Sequence, residues 1–471
     1  MKHVLATVLL LASAALAAEV RITGGAADDQ VFQRGADSRA DITLSGTAEP
    51  GGASVEARVT RKHQVVEGFD WAAIAKATGG KWSGFVKGLP AGGPYRIEVR
   101  AGSATTAVNN ILVGDLWVLA GQSNMQGVGD LVDVEMPHEL VHNFNMADQW
   151  EVAEEPLHTL PAAVDPVHWP KGQTAPLAGE ALRKYVANRK KGAGLGLPFA
   201  VEMVRRKGVP IGLLSCAHGG TSMDQWDPGL KSKVGESLYG SMLRRVQAAG
   251  GKVTGVLWYQ GESDSSPKAA PLFQGKFERL VTQIREDFGQ PGLPFYYVQI
   301  GRHINNSNVA EWNLVQDSQR KAELTIPHSG IVAAIDTTLD DGIHVGTADL
   351  KLLGRRLANL ATGETKRGPR PVTATFQAGM VRVTFSEVNG RLRSAGRISG
   401  FSIHNAEGAA VPMIYKAQVD PSDPSAILLY VGGKMPEGAV LWYGNGKDPY
   451  CNVRDGAGMG LLVFGPLPIQ Q

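Results

Sequence analysis

Five short apolar runs, each preceding a stretch of helical periodicity, limit what this chain can fold into more than any other feature. The runs are 113–120, 210–217, 253–260, 294–300 and 330–336. The helical stretches are about 196–207, 236–249, 271–288, 311–325 and 347–362. Strands that are apolar at every position are buried on both faces, and strands alternating with helices pair in parallel. The expectation is an α/β fold: a parallel sheet covered by helices on both faces. In "SLYGSMLRRVQAAG" the periodicity predicts a helix that stops at Gly250-Gly251. Residues 130–195 are rich in Pro, His and Trp with little periodicity. They read as a long insertion over one end of the sheet, and loops of that length usually carry function.

In a doubly wound sheet, ligands bind outside the carboxyl ends of the strands, so the residues just after each strand are the informative ones. They are Gly121-Gln122-Ser123-Asn124, then "AHGGTSMDQW" (217–226), "YQGESD" (259–264) and "DTTLDDGIH" (336–344). All four are polar and glycine-bearing, which packing alone does not explain. Acyl transfer needs a nucleophile, a base and donors aimed at a developing oxyanion. Ser123 can attack, Gly219 or Gly220 offers an unobstructed N–H, Gln260 offers an amide, and His344 is a base with Asp341 three residues before it. Blander roles exist for each. Ser123 could be a helix N-cap, His344 a surface histidine, Gln260 a core hydrogen-bonder, and Trp226 either a sugar platform or core. Asp340, Glu262 or Asp264 could orient the base in place of Asp341. The aromatic and histidine side chains of the insertion, including Trp150, His158, His168 and Trp169, could wall a pocket or simply pack. No HExxH, paired CxxC or EF-hand loop occurs, so neither a metal nor a cofactor is expected.

The flanks have a different period. Residues 19–112 alternate apolar and polar positions around turn clusters such as Gly51-Gly52 and "LPAGGPY", a β-sandwich pattern, and from 366 onward the same pattern returns in "MVRVTFSEVNGRL" and "AILLYVGG". The expected division is 1–18 leader, 19–112 N-terminal β-sandwich, 113–365 catalytic domain and 366–471 β-rich domain. Residues 1–18 carry Lys2, an apolar run from Val4 to Leu11 and Ala15-Leu16-Ala17. That is the pattern of a secretory signal peptide cleaved near Ala17 or Ala18, so a secreted or periplasmic chain with no membrane association after cleavage is expected. With 47 basic and 45 acidic residues the net charge is +2, which argues against a nucleic-acid partner. Cys216 ends a strand and Cys451 lies in a distant loop; they are expected to stay unpaired.

"GDLWVLAGQSNMQG", "GGTSMDQW", "WYQGESD" and "DGIHVGTADLKLLGRRLA" together resemble the SGNH/GDSL hydrolase superfamily, and within it the sialate O-acetylesterase family of carbohydrate esterases. The resemblance implies a three-layer α/β/α, flavodoxin-like fold. It implies an acetylated carbohydrate substrate and an acetyl-enzyme intermediate, with Ser123 as nucleophile, His344 as base and Asp341 as its orienter. Ser123 N–H, Gly220 N–H and Gln260 would line the oxyanion hole. Gln122, Asn124, Glu262, Asp264 and Trp226 would support the site or bind substrate. Val345 stands where the family often has proline, and "DGIH" is nearer to acetylxylan-esterase-like members. An esterase for acetylxylan or another plant polysaccharide is therefore the alternative, with a non-catalytic carbohydrate-binding protein behind it. Around Ser123 there is no G-x-S-x-G, so the α/β-hydrolase nucleophile elbow is not supported.

Overall fold

Along the strand Ala104–Gly121, half-buried and exposed positions give way to unbroken burial from Ile111 to Gly121. A strand buried at every position needs neighbours on both faces. This strand is at the middle of the sheet that carries the site. The computed structural model describes residues 18–49 and 51–471, so nearly all of the predicted signal peptide lies outside the described residues. The chain divides into two compact units, one of Gly35–Val113 with the residues up to Gln30, the other of Val31–Arg34 and Gly114–Gln471.

The first unit is antiparallel β-structure. Glu19–Gly24, Arg39–Glu49 and Lys81–Pro90 form one sheet, while Ser54–Arg61 pairs with Gly92–Ala101 in another. Period-two alternation puts Ile42, Leu44, Val55, Val59, Leu89, Ile97 and Val99 inside.

In the second unit we label the strands β1 (Ala104–Gly121, of which the end belongs here), β2 (Val141–Phe144), β3 (Trp150–Val152), β4 (Ile211–Ser215), β5 (Gly255–Tyr259), β6 (Phe295–Gln299) and β7 (Ser329–Ala333). The helices are α1 (Ser123–Gln126), α2 (Gly179–Ala187), α3 (Gly196–Lys207), α4 (Leu238–Ala248), α5 (Phe273–Asp287), α6 (Val309–Thr325) and α7 (Thr347–Thr362). The sheet order is β3-β2-β4-β1-β5-β6-β7, parallel throughout except for β3 at the edge. All five apolar runs became strands and all five periodic stretches became helices. In α5, Phe273, Phe277, Leu280, Val281 and Ile284 are buried, the i, i+4, i+7, i+8, i+11 stripe of a helix lying on a sheet. Ser237 caps α4 through its side chain, and Gly250 and Gly251 follow the helix at φ +112° and +78°, the backbone region open to glycine.

The stretch 130–195 departs from expectation. It is not only a loop over the sheet, because it contributes β2 and β3 to the sheet itself. Val141-His142-Asn143-Phe144 is buried at all four positions, yet two of its residues are polar. Asn143 accepts a hydrogen bond from Ser215 Oγ (2.8 Å) and donates to the Leu157 carbonyl (3.2 Å). Polar side chains satisfied in this way sit in a core at little cost, and they hide the strand from any search for apolar runs.

Residues 370–470 form an eight-stranded sheet, largely antiparallel, with its own buried cluster around Val381, Ile427, Leu441, Tyr443 and Phe464. It belongs to the same compact unit as the parallel sheet. Gln299 exchanges two hydrogen bonds with the Val463 backbone (2.7 and 2.9 Å). Buried Asp336, after β7, takes Arg356 on one side and Arg454 on the other; burial opposes its charge, but the two guanidiniums hold its carboxyl below the usual range. Cys216 and Cys451 are both buried and free. Among the described residues no helix is long and apolar enough to cross a membrane.

Candidate active site

The end of β1 is tied to the ends of both neighbours. Gln122 N–H donates to the Tyr259 carbonyl (2.8 Å) at the end of β5, and His218 N–H donates to the Gly121 carbonyl (3.0 Å) from the loop after β4. Gly121 has φ +134°, and a Cβ there would lie 2.2 Å from the Tyr259 oxygen, so only glycine allows this approach. The chain then turns into α1. Gln122 occupies the N-cap position without capping through its side chain, and Ser123 is the first helical residue. The capping role considered for Ser123 is therefore not the one it has. Its N–H is at a helical position that has no intrahelical acceptor. No hydrogen bond engages its hydroxyl among the described residues.

The loop after β4 passes directly over this serine. A Cβ on Gly219 would lie 3.4 Å from Ser123 Cβ and 3.1 Å from Gln126 Oε1. Gly219 N–H is already used, donating to that Gln126 oxygen (2.8 Å). Gly220, at φ +70°, has open space where a Cβ would be.

After β7, the loop folds around a carboxylate. Asp341 Oδ1 accepts the N–H groups of Ile343 (3.0 Å) and His344 (2.9 Å), and Oδ2 is 2.7 Å from His344 Nδ1. Partial burial works against the charge, but these three donors hold the Asp341 carboxyl down at about 2. The competing acids have other partners. Asp340 accepts from Asp130 N–H (2.8 Å) and Thr347 N–H (3.3 Å). Glu262 accepts from Asn124, and Asp264 from Met223 N–H and Gln260. Only Asp341 touches the imidazole. With Asp341 as acceptor, His344 Nδ1 carries a proton and Nε2 is left to act as a base.

Asn124 joins three of the strand ends. Its Oδ1 accepts the N–H of Val345 (3.0 Å), and its Nδ2 donates to Glu262 Oε1 (2.8 Å). The residue after the serine thus holds the residue after the histidine, although 221 positions separate them. Asn124 is 2% exposed and Glu262 7%. Burial raises the Glu262 carboxyl, with the Asn124 donor working against that rise.

Two expected roles are corrected. Gln260 does not offer a free amide: it is fully buried, and its Nε2 donates to the Thr221 carbonyl (3.1 Å) and to Asp264 Oδ2 (2.5 Å). It ties the β4 and β5 loops together instead. Trp226 is not a sugar platform, because it has no exposed surface; its Nε1 donates to Thr221 Oγ1 (3.0 Å) and its ring packs edge-on to Trp258. Gln122, Asn124, Glu262 and Asp264 are likewise supports, all buried. Of the insertion's aromatic and histidine side chains, His158 and His168 are interior, each 1% exposed, while Trp150 and Trp169 are part-buried, Trp150 against Phe144 and Trp169 Nε1 donating to the Ala163 carbonyl (2.7 Å). Sequence reasoning missed Gln126 and Lys191. Lys191 Nζ is 3.1 Å from Asp130 and 3.8 Å from Asp341, and nothing local in the sequence links it to either. Among the described residues no group of three or more His, Cys, Asp or Glu side chains is arranged to hold a metal ion.

Against known proteins, residues 113–362 match the family described as carbohydrate esterase, sialic acid-specific acetylesterase. A probable carbohydrate esterase of Arabidopsis thaliana is 30% identical over 268 residues, which is 52% of this chain and 88% of that protein. Human sialate O-acetylesterase is 24% identical over 304 residues, so the chain spans about half (55%) of that relative's length. The crystal structure of a carbohydrate acetylesterase from Xanthomonas citri aligns over 94% of this chain and 99% of its own, with TM-score 0.65 and 24% identity, a likeness of fold. The family match covers more than half of the chain and coincides with the strand ends that carry Ser123, Glu262, Asp341 and His344; this chain belongs to the sialic acid-specific acetylesterase family of carbohydrate esterases.

Proposed function

We propose that this chain is an exported serine esterase that removes O-acetyl groups from carbohydrates, most like a sialate O-acetylesterase. Its sheet, with helices on both faces, serves as the three-layer core of an SGNH hydrolase, and the β-rich segments at 19–112 and 366–471 serve as flanking domains. Ser123 Oγ attacks the acetyl carbonyl while His344 Nε2 takes its proton. Asp341 holds Nδ1–H and offsets the imidazolium charge that forms. Ser123 N–H and Gly220 N–H face the developing oxyanion; Gln260 keeps the β4 loop in place but donates nothing to it. The C–O bond to the sugar breaks as His344 returns the proton to the leaving alcohol, and water then releases acetate from Ser123 by the reverse sequence.

The observation that carries this reading is the Asp341–His344 contact at 2.7 Å, supported by the Asn124–Val345 hydrogen bond that joins the residue after Ser123 to the residue after His344. No hydrogen bond joins Ser123 to His344 among the described residues; a bond between base and nucleophile often tightens only when substrate is bound. Ser123→Ala should abolish acetate release from p-nitrophenyl acetate with an unchanged thermal transition, and an organophosphate should label the natural chain but not the variant. Turnover that survives the substitution would remove the triad; failure of the organophosphate to inactivate the natural chain would favour a carbohydrate-binding role. The "DGIH" loop and Val345 favour a second reading, an esterase for acetylxylan or a similar plant polysaccharide. Acetate release from O-acetylated sialic acid measured against release from acetylxylan separates the two. Export is tested by the N-terminus of the mature chain, expected near Ala18.

A further inference from the structure

Behind the loop that carries Gly219 and Gly220 lies a buried chain of hydrogen bonds that the acetyl-transfer steps do not use. His218 Nδ1 is 3.2 Å from His168 Nδ1, His168 Nε2 is 3.2 Å from Ser241 Oγ, and Ser241 Oγ is 2.6 Å from Asp165 Oδ2. Asp165 is in turn clamped by Arg244 through Nε (3.0 Å) and Nη2 (2.8 Å). His168 and Ser241 are almost wholly buried.

The order of donors along this chain can be read from its inner end. A carboxylate ion-paired to Arg244 only accepts, so Ser241 Oγ–H must donate to Asp165. Ser241 Oγ is then left to accept from His168, which places the His168 proton on Nε2. Burial and the nearby positive charges hold His168 well below its ordinary value, so it stays neutral and its Nδ1 is a bare acceptor. His218 Nδ1 must therefore be the donor. Burial also holds His218 below its ordinary value, so it stays neutral and its Nε2 is left as a lone pair. That atom has no hydrogen-bond partner among the described residues, and the His218 side chain is only part-buried.

Its position gives that lone pair a use. His218 is bonded through its N–H to the Gly121 carbonyl, two residues before Ser123, and the next residue, Gly219, lies against the serine. We infer that His218 is a specificity-determining residue whose Nε2, fixed as an acceptor by the His168–Ser241–Asp165 chain, receives a hydrogen bond from a free hydroxyl of the acetylated sugar. The inference rests on the esterase reading of the site. His168, Ser241 and Asp165 act through His218 and touch no substrate; they are positioning residues. A neutral hydroxyl donor matched to a neutral acceptor suits a polyol, and p-nitrophenyl acetate has no hydroxyl to offer.

Two measurements test it. The first is the tautomer of His218 in the unsubstituted protein, read from its imidazole 15N shifts. Nδ1–H is expected, and a proton on Nε2 overturns the inference. The second is selectivity. His218→Ala should lower kcat/KM for an O-acetylated sugar about ten-fold more than for p-nitrophenyl acetate, the scale of one neutral hydrogen bond. His218→Gln, whose amide oxygen can accept in place of Nε2, should recover part of that ratio. Ser241→Ala should both mix the His218 tautomers and lower the ratio, a change that a purely structural serine would not produce. Equal losses on the two substrates for His218→Ala overturn the inference. Survival of turnover in Ser123→Ala removes the esterase reading itself, whereas the wrong His218 tautomer removes only the specificity role.

Discussion

The chain contains the pattern D-x-x-H at two places in its second unit, and it uses them in opposite ways. In Asp341-Gly342-Ile343-His344 the carboxylate and the imidazole touch directly at 2.7 Å. In Asp165-Pro166-Val167-His168 they are joined only through Ser241. The difference lies in which oxygen closes the turn. Asp341 closes its own loop with a side-chain oxygen that accepts the N–H groups of Ile343 and His344, which pulls the carboxylate back over the ring. In the other loop Pro166 starts a short helical turn, and the backbone carbonyl of Asp165 accepts the His168 N–H (3.2 Å). Its carboxylate is thereby free to turn away toward Arg244 and Ser241. The first pair is partly exposed, its histidine side chain 21% and its aspartate 37%; the second is interior. One spacing thus yields a directly touching pair at a rim, the base of the proposed triad, or a buried support, and the choice is made by the residue after the aspartate and by what lies across from it.

The widest gap between the two loops should appear when each histidine is removed. His344→Ala should cut kcat on p-nitrophenyl acetate by roughly 10⁴-fold or more, the scale on which loss of a triad base is felt. His168→Ala should cost far less on that substrate, since its ring acts only through His218. Comparable losses in the two variants would mean that the rim pair does not carry the chemistry apart from the buried one.

How far these roles could be read from sequence follows from the same contrast. The His344 loop was legible because its contacts are local, three residues apart, and because it follows an apolar strand. The five strands and five helices were legible for a similar reason: burial on both faces and a single helical stripe leave periodic marks. What stayed hidden depends on partners far away in the chain. Gln260 looks like a free amide until Thr221 and Asp264 claim it. Trp226 looks like a platform until Trp258 and Thr221 are seen against it. Val141–Phe144 carries no apolar run because Ser215 and Leu157 satisfy Asn143. His168 is given its role by Ser241 and Arg244, each more than 70 positions away from the loop they complete.

A smaller effect is expected from the joint between the rim loop and the serine. Asn124→Leu removes the acceptor for Val345 N–H and the donor to Glu262, leaving two buried polar groups unpaired. Each such group costs about 1–3 kcal/mol, so chemical denaturation should show a loss of a few kcal/mol, with kcat reduced about 10²-fold as the histidine loop drifts from Ser123. Val345→Pro is the sharper version. It removes only the N–H, restores the residue that the family often has there, and should lose less stability than Asn124→Leu. A Val345→Pro variant with full activity and stability would show that the joint does not position the base.

The smallest effect is the pH dependence of the rim pair. The Asp341 carboxyl is held at about 2 in the folded chain, below its ordinary 3.8. A depressed carboxyl contributes stability that is fully present above the ordinary value and is lost as pH falls through the folded one. The stability difference between the natural chain and Asp341→Asn should therefore be constant above about pH 4 and shrink between about pH 4 and 2. It should be small throughout, because solvent screens a carboxylate this exposed. Asp165 gives the internal comparison. Its clamp by Arg244 is interior and less screened, so Asp165→Asn should cost more stability at neutral pH than Asp341→Asn, while Asp341→Asn should cost more activity. Urea denaturation of both variants across that pH range, with turnover measured at neutral pH, provides the check. If a single variant led on both counts, the division of the two D-x-x-H loops into a chemical one and a supporting one would not hold.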